Sequence, residues 1–309
     1  MIRKITLFLI FASFCFFGCQ TENEPKIKLI IDADTANEVD DLFALVGAIA
    51  NPKFDLRAIT SAQFHSSPLA SDSSVLESQK INEELTGLMG TINIPLPQGS
   101  NSPLESNEKP NISAASTFIV NQANALMEGD SLLLVILGSC TNVASAILQD
   151  PAIIPKIRVH YLGFWHDPAT NVFDKNEFNS GNDTLAVNLL LNTPGLDFSV
   201  MSATTSQHLI FEKAKVENEL ADKGELGKYL MDRWENYERW WTKEDPEKNK
   251  WIMWDVAIIE SLVNPDLSRK EKFETPPENA SRMITIHTKI EAKEMEKRYW
   301  DTLKNFLIK

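Results

Sequence analysis

Residues 27–33, IKLIIDA, form a largely apolar run bounded by polar residues, the pattern of a strand buried on both faces of a parallel sheet. Residues 42–50, LFALVGAIA, repeat their apolar positions at helical spacing, and 56–60, LRAIT, return to a strand pattern. The three make one βαβ unit, and such units build open sheets whose ligands sit at the carboxyl ends of the strands. The alternation recurs: 131–137 and 141–149 read as strand and helix, and 157–164 and 196–201 as further strands. The predicted architecture is α/β: an open, mainly parallel sheet with helices on both faces.

Two stretches break the rhythm. Residues 88–112 are rich in Pro, Asn, Ser and Gly and read as a long surface loop or lid. Residues 226–264 read as a heavily charged helical stretch that carries Trp234, Tyr237, Trp240, Trp241, Trp251 and Trp254. Such aromatics are expected in the core or over an adjacent groove. Trp254 is set apart by its neighbour Asp255.

The first residues belong to a different pattern. A basic start (Arg3, Lys4), an apolar stretch from Ile5 to Phe17 and Gly18 before Cys19 read as an export signal, too short for the ~20 residues of a spanning helix. The ending resembles a bacterial lipoprotein signal. The expectation is therefore a signal at 1–19, lipid on Cys19, a flexible tether at 20–26 and one domain at 27–309. The protein would be exported and held in the cell envelope, on the periplasmic face or the cell surface, through the lipid anchor only. Cys140 would then be the sole thiol of the mature domain, with no internal disulfide.

The chain of 309 residues has a formal charge of -13, which disfavours a nucleic-acid backbone or an anionic membrane surface as partner. Cations or neutral small molecules suit it better. The acid is locally dense, since Asp32, Asp34, Glu38, Asp40 and Asp41 crowd the predicted strand-to-helix loop in IIDADTANEVDD. Caps for the following helix need one such side chain. Like charges at this spacing repel unless a cation sits among them, and an all-oxygen cluster suits a hard cation such as calcium. Zinc is disfavoured because the His and Cys residues are scattered. An aspartate-phosphatase reading of IIDADT fails on Thr35, which comes one position early.

Four segments in order resemble the inosine-uridine type nucleoside hydrolases. The acidic loop is similar to the family's D-x-D-P-G-x-D-D, with two more residues between Asp34 and Asp40 and without the glycine. ILGSCTNVASAILQDP (136–151) is similar to the G-P-L-T-N segment, NVFDKNEFNSGND (171–183) to N-x(5)-E-F-N-x(3)-D, and WDVAIIE (254–260) to the late H-D or W-D segment. The resemblance implies hydrolysis of a ribonucleoside's N-glycosidic bond to free base and ribose. It implies Ca2+ held by Asp34, Asp41, Asp255 and the Leu137 carbonyl, with Asp34 as general base.

By the same resemblance Asp40 holds the 2′-hydroxyl, Asp255 also meets the 3′-hydroxyl, and Asn171, Glu177 and Asn179 hold the remaining hydroxyls, while Asp183 caps the next helix. His65 stands where the family often has an asparagine near the sugar. Trp254 stands where broad-specificity members have a histidine, as in purine-preferring relatives, and its ring offers a face for purine stacking. A homo-oligomer is expected by resemblance alone. The alternative is a surface-anchored protein that binds nucleosides or polyols through the same calcium site without cleaving them.

Overall fold

The structure, a computed structural model, describes residues 25–307. The expected signal, Cys19 and most of the tether lie outside the described residues. No helix among the described residues is long and apolar enough to cross a membrane.

In chain order the strands are β1 (Ile27–Ala33), β2 (Phe54–Ser61), β3 (Leu132–Ile136), β4 (Ile157–Gly163), β5 (Trp165–Asp167), β6 (Val172–Asp174), β7 (Asp197–Ser202), β8 (Ile210–Glu212), β9 (Lys250–Ile252), β10 (Ser268–Glu274) and β11 (Met283–Ile290). The helices are α1 (Asp40–Ala50), α2 (Ser74–Leu88), α3 (Ala114–Asn124), α4 (Thr141–Gln149), α5 (Phe178–Asn182), α6 (Thr184–Asn192), α7 (Ala203–Ser206), α8 (Lys213–Leu220), α9 (Gly224–Asn236), α10 (Trp254–Val263) and α11 (Ala292–Leu307).

A 7-stranded sheet runs in the order β10-β11-β7-β4-β3-β1-β2. All neighbours pair in parallel except the edge strand β10, which is antiparallel to β11. Alternation along β1 serves both faces: Leu29, Ile31 and Ala33 enter the core beneath α1, α10 and α11, whereas Ile30 enters the core beneath α3, α4 and α6. The chain leaves β1 for β2 on one side and returns to β3 on the other. The crevice between the carboxyl ends of β1 and β3 is thus a topological switch point, the place where open α/β sheets bind ligands.

The packing of α1 decides how the crevice is walled. Phe43 lies among Phe211, Trp234 and Trp300, with ring centroids 6.0–6.4 Å apart. The Tyr299 hydroxyl donates to Phe43 O at 3.0 Å, and a Cβ on Gly47 would stand 2.8 Å from the Tyr299 ring. Only glycine lets α11 come this close.

Two expectations are corrected. Residues 226–264 are not one helical stretch: α9 stops at Asn236, the chain runs irregularly to 249, and β9 pairs with β8 before α10 begins. Tyr237 ends α9 with an extended backbone (φ -69°, ψ 131°), and further on Asp245, with φ 50°, turns the chain toward β9 as its carboxylate accepts from Asn249 N and Lys250 N at 3.0 Å each. Residues 89–113 do form a long loop without helix or strand, but it is no lid. It packs beside β2 and α4, where a Cβ on Gly99 would stand 2.0 Å from Ser61 O, and it does not border the cleft described below.

Glu260 of α10 is buried and accepts from Asn264 Nδ2 at 2.9 Å, and burial pushes its carboxyl up from 4.5 to about 7. The folded chain therefore keeps this proton between about pH 4.5 and 7 while the unfolded chain loses it, and stability falls as pH rises through that window. Thermal melts of Glu260→Gln should match the native chain at pH 4 and exceed it at pH 8, by up to ~3 kcal/mol. A variant less stable at pH 8 would mean that Arg298 and Lys53 favour the ionised form.

Candidate active site

β1 ends at Ala33 and a turn closed by Asn37 N on Asp34 O (2.7 Å) leads into α1. Asp40 and Asp41 fill the first turn of α1, and Asp255 fills the first turn of α10, which packs against α1. Helix N-termini present free N–H groups and a positive dipole end, so each helix favours an acid at this position. The two helix starts converge: Asp255 N donates to Asp40 Oδ2 at 3.1 Å. Asp40, Asp41 and Asp255 offer oxygens that all lie within 4.8 Å of one another.

Asp34 completes the group from the end of β1. It is pressed against Gly138 at the end of β3, where a Cβ would stand 2.9 Å from Asp34 Cγ. Asp34, Asp40, Asp41 and Asp255 are each 1–2% exposed. Burial and then the neighbouring carboxylates push Asp34, Asp41 and Asp255 well above the usual carboxylate range. Burial pushes Asp40 up to about 7 against the opposing hydrogen bonds from backbone N–H groups. One oxygen on each of Asp34 (Oδ2), Asp41 (Oδ1) and Asp255 (Oδ1) is buried without any hydrogen-bond partner. Buried orphan carboxylate oxygens are costly, and three along the floor of one cleft fit a cation with oxygen ligands.

Around this floor lies a cleft of ≈ 230 Å³, concave and walled largely by apolar side chains as small-molecule sites are. Leu137, Glu177 and Asn179 border it. The Leu137 carbonyl accepts from Asn179 Nδ2 at 2.7 Å, which leaves its second lone pair. Glu177 caps α5 by accepting from Asn179 N at 2.9 Å and Ser180 N at 3.0 Å, and it also accepts from Phe164 N at 2.8 Å. It is thereby a rigid acceptor. Asp183 caps α6 through Ala186 N at 2.9 Å.

The aromatic residues divide. Trp234 and Trp251 are core, whereas Trp240 and Trp241 are 38% and 40% exposed and cover the cleft. Trp254 borders it too, braced edge-to-face by Trp165 at 5.7 Å and 85°. Cys140 is a packed side chain whose thiol burial pushes well up, so it is no nucleophile.

Two expected site residues are not brought to the cleft. Asn171 has both amide ends committed, Oδ1 to His166 Nε2 at 3.0 Å and Nδ2 to Glu274 O at 3.2 Å, so it ties the β5–β6 hairpin to β10. Asn176 borders the cleft in its stead. His65 is exposed with Nδ1 2.7 Å from Gln63 Oε1, and does not border the cleft. Asn37, Glu38, Trp165 and Phe178 border the cleft without having been singled out for the site. Asn37 and Glu38 lie inside the acidic loop, and Phe178 and Asn176 flank Glu177, so nearness to a motif was the available signal. Trp165 had none beyond its place after a strand.

A sequence profile described as inosine-uridine preferring nucleoside hydrolase matches residues 29–298. The chain belongs to that family. It is 24% identical over 270 residues to a probable uridine nucleosidase 1 of Oryza sativa subsp. japonica, covering 79% of each chain. Among solved structures, a purine-preferring ribonucleoside hydrolase from Gardnerella vaginalis shares the fold with a TM-score of 0.70 at 17% identity, over 91% of this chain and 99% of that one. An inosine-guanosine nucleoside hydrolase has a TM-score of 0.69 at 18% identity, over 90% and 98%. A plant nucleoside hydrolase has 0.68 at 18%, over 92% and 99%. The protein is thus a nucleoside N-glycosyl hydrolase, and the alternative of binding without turnover loses its ground.

The contact between Gly138 and Asp34 gives a test in such a hydrolase. Gly138→Ala should displace the Asp34 carboxylate and lower kcat/KM for nucleosides by about 100-fold, the cost of ångström-scale misplacement at a reacting centre. Circular dichroism should be unchanged. A variant as active as the native chain would show that the position of Asp34 has slack.

Proposed function

We propose that this protein hydrolyses purine ribonucleosides to free base and ribose with a calcium ion in the acidic cluster. The observation that carries the reading is the set of buried, partnerless oxygens on Asp34, Asp41 and Asp255 at the floor of the cleft. Those three carboxylates and the Leu137 carbonyl form an all-oxygen donor set, the chemistry that hard divalent cations select. When bound, calcium supplies positive charge that lets the carboxylates ionise together, acidifies a water and fixes the sugar diol.

The protein groups then have distinct tasks. Asp34 takes the proton of the attacking water. Asp40 accepts from the 2′-hydroxyl and Asp255 from the 3′-hydroxyl, while Glu177 and Asn179 orient the rest of the sugar. Positive charge develops at the anomeric carbon as the glycosidic bond lengthens, and the anionic floor stabilises it. Trp254 cannot protonate a leaving base at neutral pH and offers instead a flat face for it, held in place by Trp165.

Chelation of calcium should abolish hydrolysis and lower the melting temperature, and restored calcium should recover both. Asp34→Asn should keep the calcium-dependent rise in melting temperature and lose turnover by ~100-fold or more, as expected for loss of a general base. Asp41→Ala should lose the calcium-dependent rise itself. Unchanged activity and melting in chelator would overturn the metal assignment.

Purine nucleosides should be cleaved with higher kcat/KM than uridine or cytidine, and Trp254→Ala should shrink that advantage by about tenfold, from a stacking energy of ~1–3 kcal/mol per base. Equal rates on both classes, or an unaltered preference in the variant, would remove Trp254 from base recognition.

A further inference from the structure

The two additional residues between Asp34 and Asp40 lengthen the acidic turn, and Asn37 and Glu38 within it border the cleft. Length of this kind usually brings freedom, but here one stretch of chain holds three successive residues. Arg233 Nη2 donates to Ala36 O at 3.3 Å, the Tyr237 hydroxyl donates to Asn37 O, and Trp251 Nε1 donates to Glu38 Oε1 at 3.0 Å. The donors are themselves fixed. Trp251 is buried, its ring 5.4 Å from that of Trp234 and 6.5 Å from that of Trp241, and the Arg239 guanidinium lies over its face at 5.3 Å.

This clamp sets the orientation of two acceptors. An indole N–H only donates, so Oε1 of Glu38 is held as an acceptor and the carboxyl plane is fixed. That hydrogen bond is the one Glu38 makes among the described residues, and the half-buried side chain stands at the foot of the aromatic cover formed by Trp240 and Trp241. Beside it Asn37, 7% exposed, has an Oδ1 with no partner. Unpaired acceptors facing an aromatic-walled space select a flat group with N–H donors on its edge, because any other occupant leaves them desolvated and unsatisfied.

With the sugar on the carboxylate floor, as proposed above, the group beneath the aromatic cover is the leaving base. We infer that Glu38, supported by Asn37, determines specificity by accepting hydrogen bonds from the N–H edge of that base. Guanine carries two neighbouring donors on its ring edge, hypoxanthine one, and unsubstituted purine none. The clamped turn therefore discriminates among purines, a task separate from the stacking on Trp254.

The test compares kcat/KM of the calcium-loaded native enzyme and Glu38→Gln on guanosine, inosine and purine riboside. The ratio of variant to native for each substrate cancels differences in leaving-group chemistry. Because Trp251 would keep the amide oxygen, Glu38→Gln turns an N–H donor toward the base. The ratio should fall about tenfold or more for guanosine and stay within about threefold of unity for purine riboside, with inosine between. Trp251→Phe, which frees Glu38 while keeping an aromatic core, should give the same order with smaller amplitude, provided its circular dichroism is native. Equal losses on all three substrates would assign Glu38 to the shape of the acidic turn, and no loss on any would remove it from recognition; either overturns the inference. Failure of the native enzyme to cleave any nucleoside would instead overturn the proposed function on which it rests.

Discussion

Mutual repulsion among buried carboxylates is the constraint on which this molecule is built. Asp34, Asp40, Asp41 and Asp255 are nearly inaccessible to water, and Asp40, Asp41 and Asp255 place oxygens within 4.8 Å of one another. An isolated chain would not gather them. The gathering is enforced by apolar packing: α1 and α10 are almost wholly buried along their lengths and pack together, and their starts bring the acids with them. Backbone N–H groups at those starts offset part of the cost, as the bond from Asp255 N to Asp40 shows. The remainder is an electrostatic deficit that a cation would fill.

Much of this is legible in the sequence. The apolar run of β1, the helical spacing of α1 and the strand patterns of β3, β4 and β7 announce an open parallel sheet because burial on both faces leaves continuous apolar runs. Asp34, Asp40, Asp41 and Asp255 were readable because acid at the ends of apolar segments has few structural explanations. Asn171 lies off the cleft for a physical reason: motif spacing fixes distance along the chain, whereas a positive φ of 54° and two competing hydrogen-bond partners turn its amide toward β10. The edge strand β10, its neighbour β11 and the helix α11 are not legible in the sequence, since their alternating or one-sided apolar patterns are weak beside charged neighbours.

The tryptophan-rich segment shows how one composition serves two purposes. Trp234 and Trp251 are buried and Trp240 and Trp241 half-exposed, although all four lie within eighteen positions of one another. The difference lies in the backbone between them. The chain leaves the helix at Tyr237 and turns back at Asp245, so that one pair of rings builds the core and the other roofs the cleft.

Tyr299 reaches Phe43 across 256 positions of sequence, and Gly47 exists as glycine to receive its ring. The element that seats α1 is therefore made long after it. Most of the chain must be made before α1 has its full packing surface, and loop closure over such a span is slow. The acidic cluster at the start of α1 is thus completed late, by a helix that reaches back to an element made long before it.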